Sequence, residues 1–362
     1  MKIVFLGGNF DHSGGTERVA TIIANQLAEA GHEVVVASLS RGQKPFFPLH
    51  QSIIIKSLFE NEGRTLRRAP LLVYRLRKLL KAEQPDALVA VESMLALFTV
   101  PATSGLKLKH ICWEHFNFKS DLGKKGRNLA RQLAAKYCDV VVTLTERDRE
   151  YWRKGTKGRA EIVTIPNPSP FPVQPIDDIA TKQNVVLAVG RLAPQKGFDL
   201  LLRAWQGVFP RVPDWTLRIV GEGEQRDVLS KMATDLGIDQ AVEFVGQTSD
   251  VGKYYRQASL FCLSSRFEGF PMVLLETLSF GLPVVSFDCD TGPAEVLAGT
   301  GAILVPEGKV DDLGEALVNL IKSPKERQRI AARSHEKAQQ YQINRVINDW
   351  IKLIERDATS TK

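Results

Sequence analysis

Cysteine is scarce: Cys112, Cys138, Cys262 and Cys289 stand far apart among 362 residues, and no two form a CxxC pair. That spacing excludes a zinc site and a disulfide framework, so the thiols are read as buried and reduced, as in a cytoplasmic protein. Long apolar runs are missing too. Ala87–Ala102 is broken by Glu92 and Pro101 and falls short of the roughly twenty residues a bilayer span needs. The opening Lys2-Ile3-Val4-Phe5-Leu6 is too short for a signal-peptide core and runs into Gly7-Gly8; it reads as a first buried strand. The chain is thus expected to be cytoplasmic and not integral to a membrane. A GxGxxG fingerprint is absent, no acidic residue closes the second strand, and a dinucleotide site has little support.

What is present is an ordinary globular composition, 44% apolar and 25% charged, in a chain long enough for two cores. Only the last few residues, Asp357 to Lys362, are expected to lack order. Short β-branched runs alternate with helical patterns. Ile3–Leu6, Glu33–Ser38, Ser52–Lys56, Asp86–Val91, Lys109–Trp113, Asp139–Leu144 and Glu161–Ile165 read as strands, with amphipathic helices at Glu17–Ala30, Ala69–Ala82 and Asp121–Tyr137. Strands apolar on both faces, separated by helices, predict a parallel sheet covered on both sides.

The prolines from Pro166 to Pro175 interrupt this pattern and predict a stiff linker over 169–183. The alternation restarts with strands at Asn184–Val189, Trp215–Val220, Ala241–Val245, Ser259–Leu263, Pro283–Phe287 and Ala302–Val305, and three helical segments close the chain. The expectation is two doubly wound α/β domains, 1–168 and 184–342, facing across a cleft, with the helix in 343–362 packing back toward the first. Ligands of such sheets bind at the carboxyl ends of the strands.

Net charge is +7, and basic residues crowd the segment from Arg64 to Lys136, including Arg67, Arg68, Arg75, Arg77, Lys78, Lys81, Lys124, Lys125, Arg127 and Arg131. A field of one sign points to an anionic partner, such as a phospholipid or a pyrophosphate lipid. The helix Leu71–Leu80 sets leucines against Arg75, Arg77, Lys78 and Lys81, a pattern that suits either docking on an anionic leaflet or an ordinary core helix with a solvated face. Nucleic acid is not implied, because no RNA- or DNA-binding motif accompanies the charge.

Three loops carry chemistry. Gly7 to Arg18, with Gly14-Gly15-Thr16-Glu17-Arg18 at its end, joins a strand to a helix; glycine lets the backbone approach a ligand, and the helix start favours an anion, although the glycine pair fits an ordinary tight turn equally well. Gly190-Arg191-Leu192-Ala193-Pro194-Gln195-Lys196-Gly197 follows the first strand of the second domain. Two cations fixed there could neutralise a departing diphosphate without a metal, or be a pair of solvated surface charges. Phe267-Glu268-Gly269-Phe270-Pro271 leads into a helix bearing Glu276, eight residues beyond Glu268. Such a carboxylate pair fits sugar and ribose hydroxyls, a glycosidase-like acid/base pair, or, for the helical glutamate, mere surface.

Taken in order, Gly14-Gly15-Thr16-Glu17-Arg18, Gly190-Arg191-Leu192…Lys196-Gly197, Val220-Gly221-Glu222-Gly223, Phe244-Val245-Gly246 and Glu268…Glu276 resemble glycosyltransferase family 4 over nearly the whole chain, and in particular members that build surface polysaccharides on undecaprenyl diphosphate. The resemblance implies the two-Rossmann-domain GT-B fold, retention of anomeric configuration, a UDP-sugar donor, no cofactor and no metal. It implies that Arg191 and Lys196 hold the donor diphosphate, that Glu276 holds the ribose, and that Glu268 contacts the transferred sugar, alongside Gly269, Phe270 and Pro271. Gly14 and Gly15 would approach the phosphate or sugar. Gln247 and Thr248 would line the nucleobase, and His115 would reach the donor sugar, although a histidine in such a place often only packs; Glu114 stays unassigned. A UDP-sugar 2-epimerase and an inactive sugar- or membrane-binding scaffold share this architecture and are the alternatives.

Overall fold

The computed structural model describes residues 1–63, 65–121, 123, 126–175 and 182–356, with backbone alone at Thr65 and Leu66. The expected tail disorder at Asp357–Lys362, linker residues 176–181, and Arg64, Lys124 and Lys125 lie outside them. Contacts divide the chain into two units: Met1–Asn167 together with the chain from Ile343, and Pro168–Gln342.

Unit 1 is built on seven parallel strands, β1 Lys2–Gly7, β2 Glu33–Ser38, β3 Ile54–Ser57, β4 Ala87–Val91, β5 Lys109–Trp113, β6 Val140–Thr143 and β7 Glu161–Thr164. Their order is β3-β2-β1-β4-β5-β6-β7. Unit 2 has six, β8 Val185–Val189, β9 Thr216–Val220, β10 Val242–Gly246, β11 Leu260–Leu263, β12 Val284–Asp288 and β13 Ile303–Pro306, in the order β10-β9-β8-β11-β12-β13. The inner strands β4, β5 and β11 are buried on both faces, whereas the edge strands β3 and β7 are largely open. Valine, isoleucine and leucine at consecutive positions allow this only because helices cover both sides.

In each sheet the strand order runs outward in opposite directions from one central pair, β1/β4 in unit 1 and β8/β11 in unit 2. The crevice at the carboxyl ends of such a pair is where ligands of open α/β sheets gather.

The helices are α1 Gly15–Glu29, α2 Ala69–Glu83, α3 Ala96–Thr103, α4 Arg127–Tyr137 and α5 Glu146–Gly155 in unit 1. Unit 2 holds α6 Phe198–Val208, α7 Arg226–Asp235, α8 Gly252–Gln257, α9 Met272–Ser279, α10 Pro293–Val296, α11 Val310–Ile321 and α12 Pro324–Ala338, and α13 Ile343–Glu355 belongs to unit 1. Two of them escape a reading by amphipathic period. α3 is apolar nearly all round and contains Pro101. α5 is polar, with Asp148 and Trp152 as its buried residues, and is started by the Thr145 hydroxyl, which accepts from the Asp148 N–H. That is an N-cap signal rather than a periodic one. α13 buries Val346, Ile347, Trp350, Leu353 and Ile354, with Trp350 edge-on to Trp113 at 4.6 Å. The Lys109 ammonium, buried, donates to the carbonyls of Leu353 and Arg356 and so satisfies the open end of that helix.

The proline-rich segment is not a free spacer at its start. The Ser169 N–H donates to the Tyr341 carbonyl at 2.7 Å, its hydroxyl meets that of Ser279 at 2.7 Å, and Phe171 packs edge-on to Phe280 at 5.2 Å. Its small and aromatic side chains thus join unit 2.

The basic surface of unit 1 is smaller than its composition suggests. Arg127 and Arg131 are buried, Lys109 closes α13, and Arg77 donates to the Ala102 and Ser104 carbonyls beyond α3. These cations are consumed by buried carboxylates and by helix ends. On α2, Leu72, Leu76 and Leu80 face the core, while Leu71, Tyr74, Arg75, Lys78 and Lys81 are exposed. No helix among the described residues is long and apolar enough to cross a membrane. All four cysteines are buried and free.

Candidate functional site

The turn after β8 presses against the loop after β11. Pro194–Lys196 forms one turn of 3-10 helix, and Gly197 follows at φ 63°. A Cβ at Gly197 would strike the Ser264 carbonyl, so both the positive φ and the close approach demand glycine. The Ser264 hydroxyl donates to the Lys196 carbonyl at 3.0 Å, the Arg266 N–H donates to the Gln195 carbonyl at 2.8 Å, and the Arg266 guanidinium grips Asp199 at 2.8 and 2.6 Å. That ion pair holds the Asp199 carboxyl below its ordinary range and raises the guanidinium.

The result is a contact across the β8/β11 crevice. Lys196 Nζ donates to Glu268 Oε1 at 2.8 Å, and the buried Ser265 hydroxyl donates to the same oxygen at 2.6 Å. The backbone of Glu268 is fixed from the β12 side: its N–H donates to the Asp290 carbonyl at 3.0 Å, and its carbonyl accepts from Thr291 at 2.9 Å. The Lys196 side chain is 20% exposed and that of Glu268 only 5%. A charged group so enclosed needs this pairing. Two of the expected site residues are therefore in direct contact.

Arg191 is not in that contact. Its side chain is 72% exposed and pairs with Glu224 at 3.2 Å, while the Lys196 chain folds back toward Gly190. The two cations expected to act together each have their own carboxylate, because residues 191 and 196 project from opposite ends of the turn. Glu276 is buried in α9 and accepts from the hydroxyl of Tyr255, on α8, at 2.8 Å. Tyr255 stacks on Phe280 with centroids 5.3 Å apart. Pro271 sits at the N-cap of α9. Phe270 is buried edge-on to Tyr341, and the Gly269 carbonyl accepts from the Thr291 hydroxyl at 2.9 Å. Beyond β10, Gln247 is exposed and the Thr248 hydroxyl accepts from the Asp250 N–H at 3.1 Å, which shapes a turn.

In unit 1, Gly14 is the N-cap of α1 and Gly15 its first residue, without a side-chain cap. A Cβ at Gly15 would meet nothing within 4 Å, whereas one at Gly14 would strike the Glu17 carboxylate, which folds back over the helix start. Burial pushes the nearby Glu17 carboxyl up, with the Glu92 carboxylate adding to the effect. His115 lies two residues past β5, 8% exposed, its ring 4.5 Å from that of Trp113. Burial drives its pKa down to about 3, so it is a neutral imidazole, and its Nε2 has no hydrogen-bond partner. Glu114 is fully engaged: it accepts from Ser93 at 2.7 Å, Arg131 at 3.1 Å, and the backbone N–H groups of His115 and Phe116 at 3.1 Å each. It braces the loop that carries His115.

Residues 13–169 match the family description Glycosyltransferase Family 4, and residues 174–337 match Glycosyl transferases group 1. An uncharacterized glycosyltransferase of Haemophilus influenzae is 35% identical over 351 residues, covering 96% of this chain and 98% of the relative. This chain belongs to glycosyltransferase family 4. The amylovoran biosynthesis glycosyltransferase AmsD of Erwinia amylovora is 30% identical over 96% of this chain and 98% of its own length. A Campylobacter jejuni α-1,4-N-acetyl-D-galactosaminyltransferase, named for an undecaprenol diphosphate-linked acceptor, is 27% identical over 98% of each chain.

Among solved structures, the lipopolysaccharide outer core galactosyltransferase WaaB matches with a TM-score of 0.80 at 23% identity, over 98% of this chain and 99% of WaaB. HepE of Anabaena in complex with UDP matches at 0.81 and 21%, with the same coverage. The fold of this glycosyltransferase is GT-B, and the chain is a transferase.

Sequence reasoning did not single out Ser265, Tyr255, Arg266 or Asp199, which hold Glu268, Glu276 and the two loops. Each is an ordinary residue in an ordinary place along the chain, so no motif announces it.

Proposed function

We propose that this glycosyltransferase moves a hexose or N-acetylhexosamine from a UDP-sugar to a lipid-linked or polysaccharide acceptor, with retention and an α-linkage, in surface polysaccharide biosynthesis. The observation that carries the reading is the Lys196–Glu268 contact at 2.8 Å across the carboxyl-end crevice of unit 2. A donor diphosphate at the β8 turn would give Lys196 a second anion and release Glu268 to accept from sugar hydroxyls. Glu276, held by Tyr255, would take the ribose hydroxyls. The UDP complex of HepE and the named roles of AmsD, WaaB and the Campylobacter jejuni enzyme support donor and acceptor class.

In the step we envisage, the acceptor hydroxyl forms its bond to the anomeric carbon on the face from which the diphosphate leaves. The anomeric carbon–oxygen bond to phosphate breaks, and the hydroxyl proton passes to the leaving phosphate oxygen. Lys196 steadies the charge that grows there, with Arg191 joining once it turns from Glu224. No nucleophile of the enzyme is needed, and no metal or cofactor enters the scheme. Exposed Leu71 and Tyr74 beside Arg75, Lys78 and Lys81 on α2 make peripheral docking on an anionic leaflet part of the same reading.

Thermal shift with UDP-, GDP- and ADP-sugars tests the donor, with EDTA present to test metal independence. Stabilisation by a UDP-sugar, lost in Lys196→Ala, is the expected result. Absence of any stabilisation by any sugar nucleotide would end the proposal. Conversion of the donor to its 2-epimer without acceptor would point to the epimerase, and an anomeric proton coupling typical of a β-linked product would overturn retention.

A further inference from the structure

The β1/β4 crevice of unit 1 is the counterpart of the one that holds Lys196 and Glu268 in unit 2. The residue that closes β4 there is Glu92. Its backbone stands at φ 109° and ψ 136°, a region that glycine enters freely and an L side chain rarely does. The strand pairing fixes it: its N–H donates to the Trp113 carbonyl on β5 at 2.8 Å. A glutamate kept where glycine would fit best is a candidate for function.

A buried cation aims its carboxylate. Arg127, with no exposed side-chain surface, donates from Nη2 to Glu92 Oε1 at 2.6 Å. Its guanidinium lies over the Phe116 ring at 4.7 Å, and its Nη1, 3.8 Å from Glu114, has no hydrogen-bond partner. Burying a guanidinium is costly unless its charge is used; here it pins a carboxylate that keeps 22% of its side-chain surface open. His115, on the neighbouring strand end and more than nine-tenths buried, leaves Nε2 without a partner. The edge therefore holds one oriented carboxylate and one unsatisfied imidazole nitrogen.

We propose that Glu92 binds and orients the attacking hydroxyl of the sugar acceptor, with Arg127 as its positioning residue. This rests on the glycosyl transfer proposed above. A carboxylate is a strong acceptor for a sugar hydroxyl, and holding that hydroxyl beside the anomeric carbon is worth large factors in rate. Glu92 takes no proton in the step; the proton still goes to the leaving phosphate.

The test uses Glu92→Gln, which keeps a hydrogen-bond acceptor for Arg127 and removes the charge. The probes are glucose, galactose, N-acetylglucosamine and N-acetylgalactosamine, each linked to undecaprenyl diphosphate. The expected result is an acceptor KM raised at least about tenfold, with UDP-sugar affinity and slow donor hydrolysis unchanged and the melting temperature lowered only by the lost charge opposite Arg127. If Glu92→Gln melts early, Glu92→Gly, whose residue adopts φ 109° freely, carries the same test. An acceptor KM within twofold of the wild type in the folded variant overturns the assignment while leaving the donor reading intact. A wild-type chain that binds UDP-sugar but uses none of the four probes overturns the acceptor class and this assignment with it; one that binds no sugar nucleotide overturns the donor reading as well.

Discussion

Removing the Lys196 ammonium by Lys196→Ala separates chemistry from stability. Glu268 would be left 95% enclosed, since its side chain is 5% exposed, with the Ser265 hydroxyl still donating to it. Breaking a buried pair from one side costs about 3–5 kcal/mol, but Lys196 is 20% exposed, so water reaches the gap and about 2–3 kcal/mol is the expected loss. For a unit of this size that corresponds to a melting shift of roughly 4–12 °C. Loss of the charge that steadies the departing phosphate should lower kcat by about 10²–10³-fold. Scanning calorimetry reads the first effect, and UDP release at saturating donor and acceptor reads the second. The double variant Lys196→Ala with Glu268→Gln no longer strands a carboxylate and should recover most of the melting temperature without recovering turnover. A Lys196→Ala enzyme that turns over within a few-fold of the wild type would refute the role given to this side chain.

Four further outcomes follow from the same geometry. Glu276→Ala removes a charged acceptor worth about 1.5–3 kcal/mol, so the UDP dissociation constant measured by calorimetry should rise roughly 10–100-fold, with some loss of melting temperature because the buried Tyr255 hydroxyl loses its acceptor. His110 and His115 are held neutral by burial, with pKa values of about 4 and about 3; the unfolded chain binds their protons first, so stability is full above pH 6.5 and falls as pH drops from there toward 4. Each histidine contributes up to about 2 kcal/mol to the difference between pH 6.5 and 5, and urea melts of His115→Phe should show a flatter dependence over that range. Asp148 runs the other way: burial raises it to about 7, so its contribution weakens as pH climbs from about 4 to 7. Finally, the exposed face of α2 should bring the chain to vesicles containing acidic lipid and release it as salt rises, and equal flotation with neutral vesicles would end that idea.

Much of the fold was legible in the chain. β2 and β5 follow the residues Glu33–Ser38 and Lys109–Trp113 at both ends, because β-branched runs report burial directly. α5 was not legible, since its segment is polar with few buried residues, and α3 was not, since it has no polar face. An apolar stripe announces a helix; α3 is apolar nearly all round, and α5 offers little apolar surface beyond Trp152.

The order of motifs by itself determined the family, the two parallel sheets, and the residues Lys196, Glu268 and Glu276 as candidates. Local chemistry suffices there, because a strand end, a glycine turn and a charged residue are close in sequence. Tertiary structure alone decided that Lys196 meets Glu268 while Arg191 meets Glu224, that Tyr255 holds Glu276, and that Arg127 and Arg131 are buried partners of Glu92 and Glu114 rather than surface charge. Each of these pairs joins residues from different strands or helices, and its charges are neutralised only when the packed sheets bring those elements within hydrogen-bond reach.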